Sequence, residues 1–192
     1  SVETTELSFD YVADLDAVSQ RAIKAFVTAG TRAVMETGSF VVLLPGGKTA
    51  AAFYKAFAAV VREGVGPRVR LLFANTHMIS LNSSKIDGVT DTQIVARPLL
   101  DVLIEQGLIE PEQIHFIDFA GREPMPAKAA RQEKHLEALL EKLNKTKVDL
   151  ALVGIDENMR IVVGERDDDA IARLVVAEPK LCLSVVIDID MG

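Results

Sequence analysis

The sequence predicts an α/β fold with a mostly parallel central sheet. A continuous apolar, β-branched-rich run stands at residues 40–44 (FVVLL), and a second mainly aliphatic run at 148–153 (VDLALV). Such runs suit strands buried on both faces. Around them lie segments whose apolar residues recur at three- and four-residue spacing, the mark of helices with one buried face. The two kinds alternate, as they do where helices connect parallel strands. The chain has 192 residues, 49% hydrophobic and 26% charged, with even composition from end to end. Residues 1–192 therefore read as one domain with a packed core.

Residues 6–12 read as a short strand. Asp14 or Asp16 then caps a long helix over 15–36, with Val18, Ala22, Phe26, Ala29 and Ala33 at helical spacing. Thr37-Gly38 ends it, the glycine suiting a left-handed cap. After strand 40–44 comes Pro45-Gly46-Gly47-Lys48-Thr49 and a second helix, with Ala50, Phe53, Tyr54, Phe57, Val60 and Val61 on one stripe. Residues 68–73 (RVRLLF) are expected as a strand, followed by a long polar loop over 74–91. Loops of that length in a compact domain often carry function. Residues 92–106 are expected helical, with Pro98 marking a first turn or a kink. A strand over 113–117, a helix over 127–143 with Leu136, Leu139, Leu140 and Leu143 inside, and strand 148–153 follow. A short helix over 167–175 and a last strand over 181–189 (LCLSVVIDI) complete the reading.

Composition excludes several classes. Disordered and collagen-like chains are too poor in apolar residues to match this one. The single cysteine, Cys182, allows no internal disulfide and argues against a cysteine metal site. The net charge of −7, without a basic cluster, argues against nucleic acid as a partner. No apolar stretch approaches the roughly 20 residues of a membrane span. The opening SVETTELSFDYV lacks the pattern of a signal peptide. The expectation is a soluble cytoplasmic protein with no cofactor and no metal. An anionic ligand would need a local positive site, since the overall field repels it.

In sheets of this kind ligands bind beyond the carboxyl ends of the strands. Three segments leave those ends. At the first, Gly46 and Gly47 let backbone approach a ligand, the helix start offers unpaired amides and a positive dipole end, and Lys48 and Thr49 add a cation and a hydroxyl. The same residues also fit a tight strand–helix turn with an exposed lysine. The segment is not a Walker A loop, because Val42 stands where the first glycine belongs. The second segment carries Asn75, His77 and Ser83. His77 is the best placed of three histidines for acid–base work, and a structural role suits it equally. With no second histidine or paired carboxylate close in sequence, a metal site lacks support. The third carries Asp156, Glu157, Asn158 and Arg160. The two carboxylates serve as acid or base if burial shifts them, or are ordinary solvated groups. Arg160 either clamps a phosphate or pairs with Glu157.

These three segments, in this order, resemble the 6-phosphogluconolactonase and glucosamine-6-phosphate isomerase (deaminase) superfamily. Leu44-Pro45-Gly46-Gly47-Lys48-Thr49 is similar to its Leu-Ser-Gly-Gly-Ser/Lys-Thr-Pro, and Lys147-Val148-Asp149-Leu150-Ala151-Leu152-Val153-Gly154 to its Asp-Leu-x-Leu-Leu-Gly approach. The resemblance covers about residues 9–163. It sets Asn75-Thr76-His77 against the superfamily's Asp-Glu-Arg/Tyr, and Ser83-Ser84 near its Ser-Asn. Its Gly-x-Asp-Gly-His becomes Asp156-Glu157-Asn158-Met159-Arg160, so the catalytic Asp falls on Asn158 and the basic His on Arg160. An arginine is no base near neutral pH.

The resemblance implies a Rossmann-like three-layer fold and a phosphorylated sugar, or a similar small anion, held on Gly46, Gly47, Lys48 and Thr49. Asn75, Ser83, Asn158 and Arg160 would complete the binding set. Two functions fit: an enzyme of carbohydrate metabolism with a redrawn catalytic set of His77, Asp156 and Glu157, or a non-catalytic sugar-phosphate sensor or assembly subunit. The chain stops about one helix–strand unit short of the superfamily pattern. The expectation is a sheet edge that is missing or supplied by a partner copy, in a homo-oligomer.

Overall fold

The computed structural model describes residues 15–80, 85–86, 89–116, 122–152, 154–155 and 161–162. The expected strand over 6–12, the capping Asp14, the helix over 167–175 and the strand over 181–189 lie outside them. The first helix, α1 (Leu15–Thr37), buries Val18, Ala22, Ile23, Phe26 and Ala33, the spacing read from sequence. It stops at Gly38, whose φ of 83° is a left-handed conformation that glycine takes without strain. The Gly38 amide donates to the Val34 carbonyl at 2.9 Å.

Strand β1 (Phe40–Leu44) is buried at all five positions. Helix α2 (Lys48–Glu63) turns Ala50, Phe53, Tyr54, Phe57, Ala58 and Val61 inward. Val60, expected on that stripe, is 39% exposed, because its direction falls at the stripe's solvent margin.

Residues 68–73 are not a strand. They belong to helix α3 (Pro67–Ala74). Pro67 sits at the first helical position, where its missing N–H costs nothing and its fixed φ suits a helix start. Val69, Leu72 and Phe73 face inward at i, i+3 and i+4, while Arg68, Arg70 and Leu71 face water. A strand would have alternated.

The segment over 74–91 is not one long loop either. It contains β2 (Thr76–Ser80), parallel to β1 with Phe40 beside Thr76 and Leu44 beside Ser80. Its polar letters conceal a buried strand. Thr76 is fully buried and its hydroxyl donates to the Leu72 carbonyl at 2.7 Å. Two short strands, β3 (Lys85–Ile86) and β4 (Val89–Thr90), then pair antiparallel.

Helix α4 (Asp91–Glu105) carries Pro98 in mid-helix, not in its first turn. Proline has no N–H for the Ile94 carbonyl, so that rung of the helix is missing. A 3₁₀ turn (Pro111–Gln113) leads into β5 (Ile114–His115), shorter than the expected 113–117. The Gln113 amide donates to the carbonyls of Phe73 and Thr76 at 2.8 and 2.7 Å and so fixes where β5 starts. Helix α5 (Met125–Lys142) and β6 (Leu150–Ala151) follow, then an antiparallel pair, β7 (Gly154–Ile155) and β8 (Ile161–Val162).

The central sheet has the order β5-β2-β1-β6, all parallel. Alternate residues of β1 divide between two cores. Phe40, Val42 and Leu44 join α1, α2, α3 and α4, whereas Val41 and Leu43 join Leu136, Leu139 and Leu140 of α5. The result is a three-layer α/β structure with helices on both faces. No described helix is long and apolar enough to cross a membrane.

Candidate functional site

Parallel strands send all their carboxyl ends to one edge, and the helices that follow start there. At that edge β1 runs through Pro45-Gly46-Gly47 into α2. Gly47 is the N-cap, with φ 90° and ψ 175°, a backbone shape that a side chain would strain. It brings no side chain to close the first turn, and α2 has no side-chain cap. A Cβ built on Gly47 would meet no described atom within 4 Å, so the backbone shape, not crowding, is what calls for glycine here. The turn is held from behind. The Tyr54 hydroxyl donates to the Pro45 carbonyl at 2.6 Å, and the Ala51 amide donates to the Gly47 carbonyl at 3.1 Å. Sixteen residues of helix direct their dipole's positive end at that turn.

Of the residues expected to form the site, Gly46 and Gly47 stand at this edge, and Lys48 and Thr49 are the first two residues of α2. The roles expected of the Lys48 and Thr49 side chains fall outside the described residues. So do Ser83, Asp156, Glu157, Asn158 and Arg160, the last four between β7 and β8. Asn75 and His77 are not brought to the glycine turn. Asn75 caps the end of α3, its side-chain amide donating to the Leu71 carbonyl at 2.9 Å. Its carbonyl accepts from the Phe40 amide at 2.9 Å, which places it at the opposite edge of the sheet, about 16 Å away at the usual strand rise.

His77 is the second residue of β2, beside Val41, and faces the α5 side rather than a loop. Its Nδ1 lies 3.0 Å from Nε2 of His115, and His115 Nδ1 lies 2.8 Å from Nε2 of His135. Sequence separation hid both partners. His115 sits on a two-residue strand, and His135 precedes a leucine stripe by one residue. Burial, then the cations of Lys142 and Lys145, hold His77 below its ordinary pKa. Burial, then His77, His135 and Lys142, lower His115 to about 4. Among the described residues, no group of three or more His, Cys, Asp or Glu side chains is arranged to hold a metal ion.

The placement of β2 also shifts the strand exit. Asn75-Thr76-His77 end a helix and begin a strand, so they do not occupy the exit where the superfamily pattern has Asp-Glu-Arg/Tyr. The residues that leave β2 are 81–84, Leu-Asn-Ser-Ser, which hold no carboxylate.

A parallel sheet with helices on both faces and a glycine turn opening a helix at its carboxyl edge defines an α/β protein of the Rossmann-like class. Residues 13–159 match the family glucosamine-6-phosphate isomerases/6-phosphogluconolactonase, and the chain belongs to that family. No curated protein matches it significantly. Among solved structures, the fold is similar to 6-phosphogluconolactonase from Plasmodium vivax, with TM-score 0.57 and 16% identity over 78% of this chain and 48% of that one. It is similar to 6-phosphogluconolactonase from Trypanosoma cruzi, with TM-score 0.60 and 12% identity over 82% and 62%. A 6-phosphogluconolactonase from Thermotoga maritima gives 0.55 and 17% over 78% and 60%. The chain thus spans about half to three fifths of the length of these structures.

Proposed function

We propose that this protein binds a phosphorylated sugar, with the phosphate on the backbone of Gly46 and Gly47 and the first turn of α2. The observation that carries this reading is the Gly47 N-cap, which has a positive φ and no side-chain cap and starts a sixteen-residue helix at the carboxyl edge of the sheet. The sequence puts a lysine, Lys48, first in α2 in a chain of net charge −7, and an anionic ligand needs local positive charge in such a field. Family membership points to the same ligand class. The reading departs from the family's chemistry at the other two segments. Residues 81–84 carry no carboxylate, and Asn158 and Arg160 stand where the resemblance puts an acid and a base. Asp156 and Glu157 are then the carboxylates available for proton transfer, and His77 and Asn75 drop out of the ligand set.

Calorimetry with glucosamine 6-phosphate, 6-phosphogluconate and their unphosphorylated parents tests the reading. Binding of phosphorylated members only is expected. Gly47→Val, which strains and fills the turn, should weaken it at least about tenfold, the cost of one lost good hydrogen bond to a charged group. Binding indifferent to the phosphate, or to Gly47→Val in a folded variant, overturns it. Assays of lactone hydrolysis and of deamination–isomerisation on the same samples separate an enzyme from a sensor. Turnover lost in Glu157→Gln assigns catalysis, and binding without turnover assigns the sensor.

A further inference from the structure

The chain's three histidines, 38 and 20 residues apart in sequence, meet on the face of the sheet away from α1–α4. His77 of β2, His115 of β5 and His135 of α5 form a ladder with nitrogens 3.0 and 2.8 Å apart. Neighbouring ring centroids are separated by 5.3 and 5.0 Å. We propose that this ladder is an acid-released clasp that holds α5 on the sheet, closed while the rings are neutral and opened when two of them take up protons.

Proton counting gives the reason. A neutral imidazole has one N–H and one bare nitrogen. Three neutral rings therefore satisfy both junctions, each with one donor and one acceptor. One added proton on His115 is tolerated, since His115 then donates both ways. A second proton, on His77 or His135, sets N–H against N–H at a junction and places two cations side by side.

Among the described residues the charged neighbours are mainly cations. Lys142 faces the ladder from α5 and Lys145 from the connection after it. Lys128, buried on α5 one turn before Gln132, adds a further lysine to this layer. Asp149, before β6, is already committed to the Lys145 ammonium and the Val41 amide. Arg131, one turn before His135, pairs with Glu123. β1 presents Val41 and Leu43 on this face. Among the described residues no carboxylate is paired with any of the three rings.

The buried side chains of α5 among the described residues are Lys128, 3% exposed, and three leucines. Leu136, Leu139 and Leu140 are its buried apolar residues, and the Gln132 side chain donates to the His115 carbonyl at 2.8 Å. Loss of the ladder therefore bears on this helix and leaves the opposite layer alone.

The test uses the whole chain. Ring-proton NMR from pH 8 to 4 should give coupled titrations, with His115 shifted down toward about 4 and His77 below its ordinary value. Amide exchange, corrected for its intrinsic pH dependence, should show α5 losing about tenfold protection relative to α2 over that range, one unit of pKa being a factor of ten. His135→Ala, at the exposed end, should shrink that acid step. Three independent titrations near 6.5 overturn the proposal. So does protection of α5 that tracks α2 at every pH. The titration of the unaltered chain decides even if a variant fails to fold.

Discussion

The two faces of the sheet are built differently. On one, 25 buried residues among those described form a single apolar cluster under α1, α2, α3 and α4. Phe26 stands at its centre, edge-on to Phe40 and Phe57 with centroids 5.3 and 5.1 Å away. On the other, the apolar cluster among the described residues numbers eight, three of them leucines of α5 itself, and polar contacts accompany it. There the Lys145 ammonium donates to Asp149 at 2.9 Å and to the Thr37 hydroxyl at 2.8 Å, and Asp149 accepts the Val41 amide at 2.7 Å. The histidine ladder lies on that same face. Apolar burial is indifferent to pH, whereas hydrogen-bonded and ionic contacts depend on protonation. One face thus sets baseline stability and the other sets how stability responds to conditions.

Substitutions can break or sharpen this contrast. Phe26→Ala, in the thick layer, should cost about 4 kcal/mol, as large aromatic truncations in cores do. Urea denaturation would measure it, and a loss below that of Leu140→Ala would invert the contrast. Asp149→Ala strands the Lys145 ammonium, whose side chain is 5% exposed, and leaves the Val41 amide without its carboxylate. About 3 kcal/mol is expected from breaking a buried pair on one side. Restoration by Asp149→Asn of the amide contact but not of the ionic one would divide the two terms. Leu140→Ala, in the thin layer, should cost about 2 kcal/mol, the low end for leucine, because fewer atoms surround it. Gly30→Ala should cost about 1 kcal/mol net. Its new methyl would press on the Leu72 and Phe40 side chains, against a helix-propensity gain of similar size.

The pH response has a definite sign. His115 is held down to about 4 in the fold, chiefly by burial, while the unfolded ring takes a proton near 6.5. Between those values the unfolded chain binds more protons than the folded one. Stability is therefore complete above about pH 6.5 and declines as pH falls toward 4. Thermal unfolding across that window should show a steeper decline for the unaltered chain than for His115→Asn.

Much of this structure is legible in the residues. Phe40–Leu44 reads as a buried strand because five apolar residues in a row leave no polar face. The stripes of α1, α2 and α5 read as helices because burial on one side imposes a 3.6-residue period. The glycines read as a tight strand–helix turn, and Gly47 takes the positive φ that glycine permits. Two segments mislead for one reason. RVRLLF has strand-like letters, yet Pro67 and the i, i+3, i+4 burial make it helix. THMIS has loop-like letters, yet its threonine and histidine satisfy their hydrogen bonds inside and make it strand.

The sequence alone determined the buried strand β1, the apolar stripes of α1, α2 and α5, and the turn that begins α2. These depend on neighbours a few residues apart. The tertiary structure decided where the polar residues of β2 point and that His77 sits in mid-sheet, removed from the glycine edge. It also decided that three histidines from three elements meet. Those outcomes depend on which strands lie side by side, and local periodicity carries no record of that pairing.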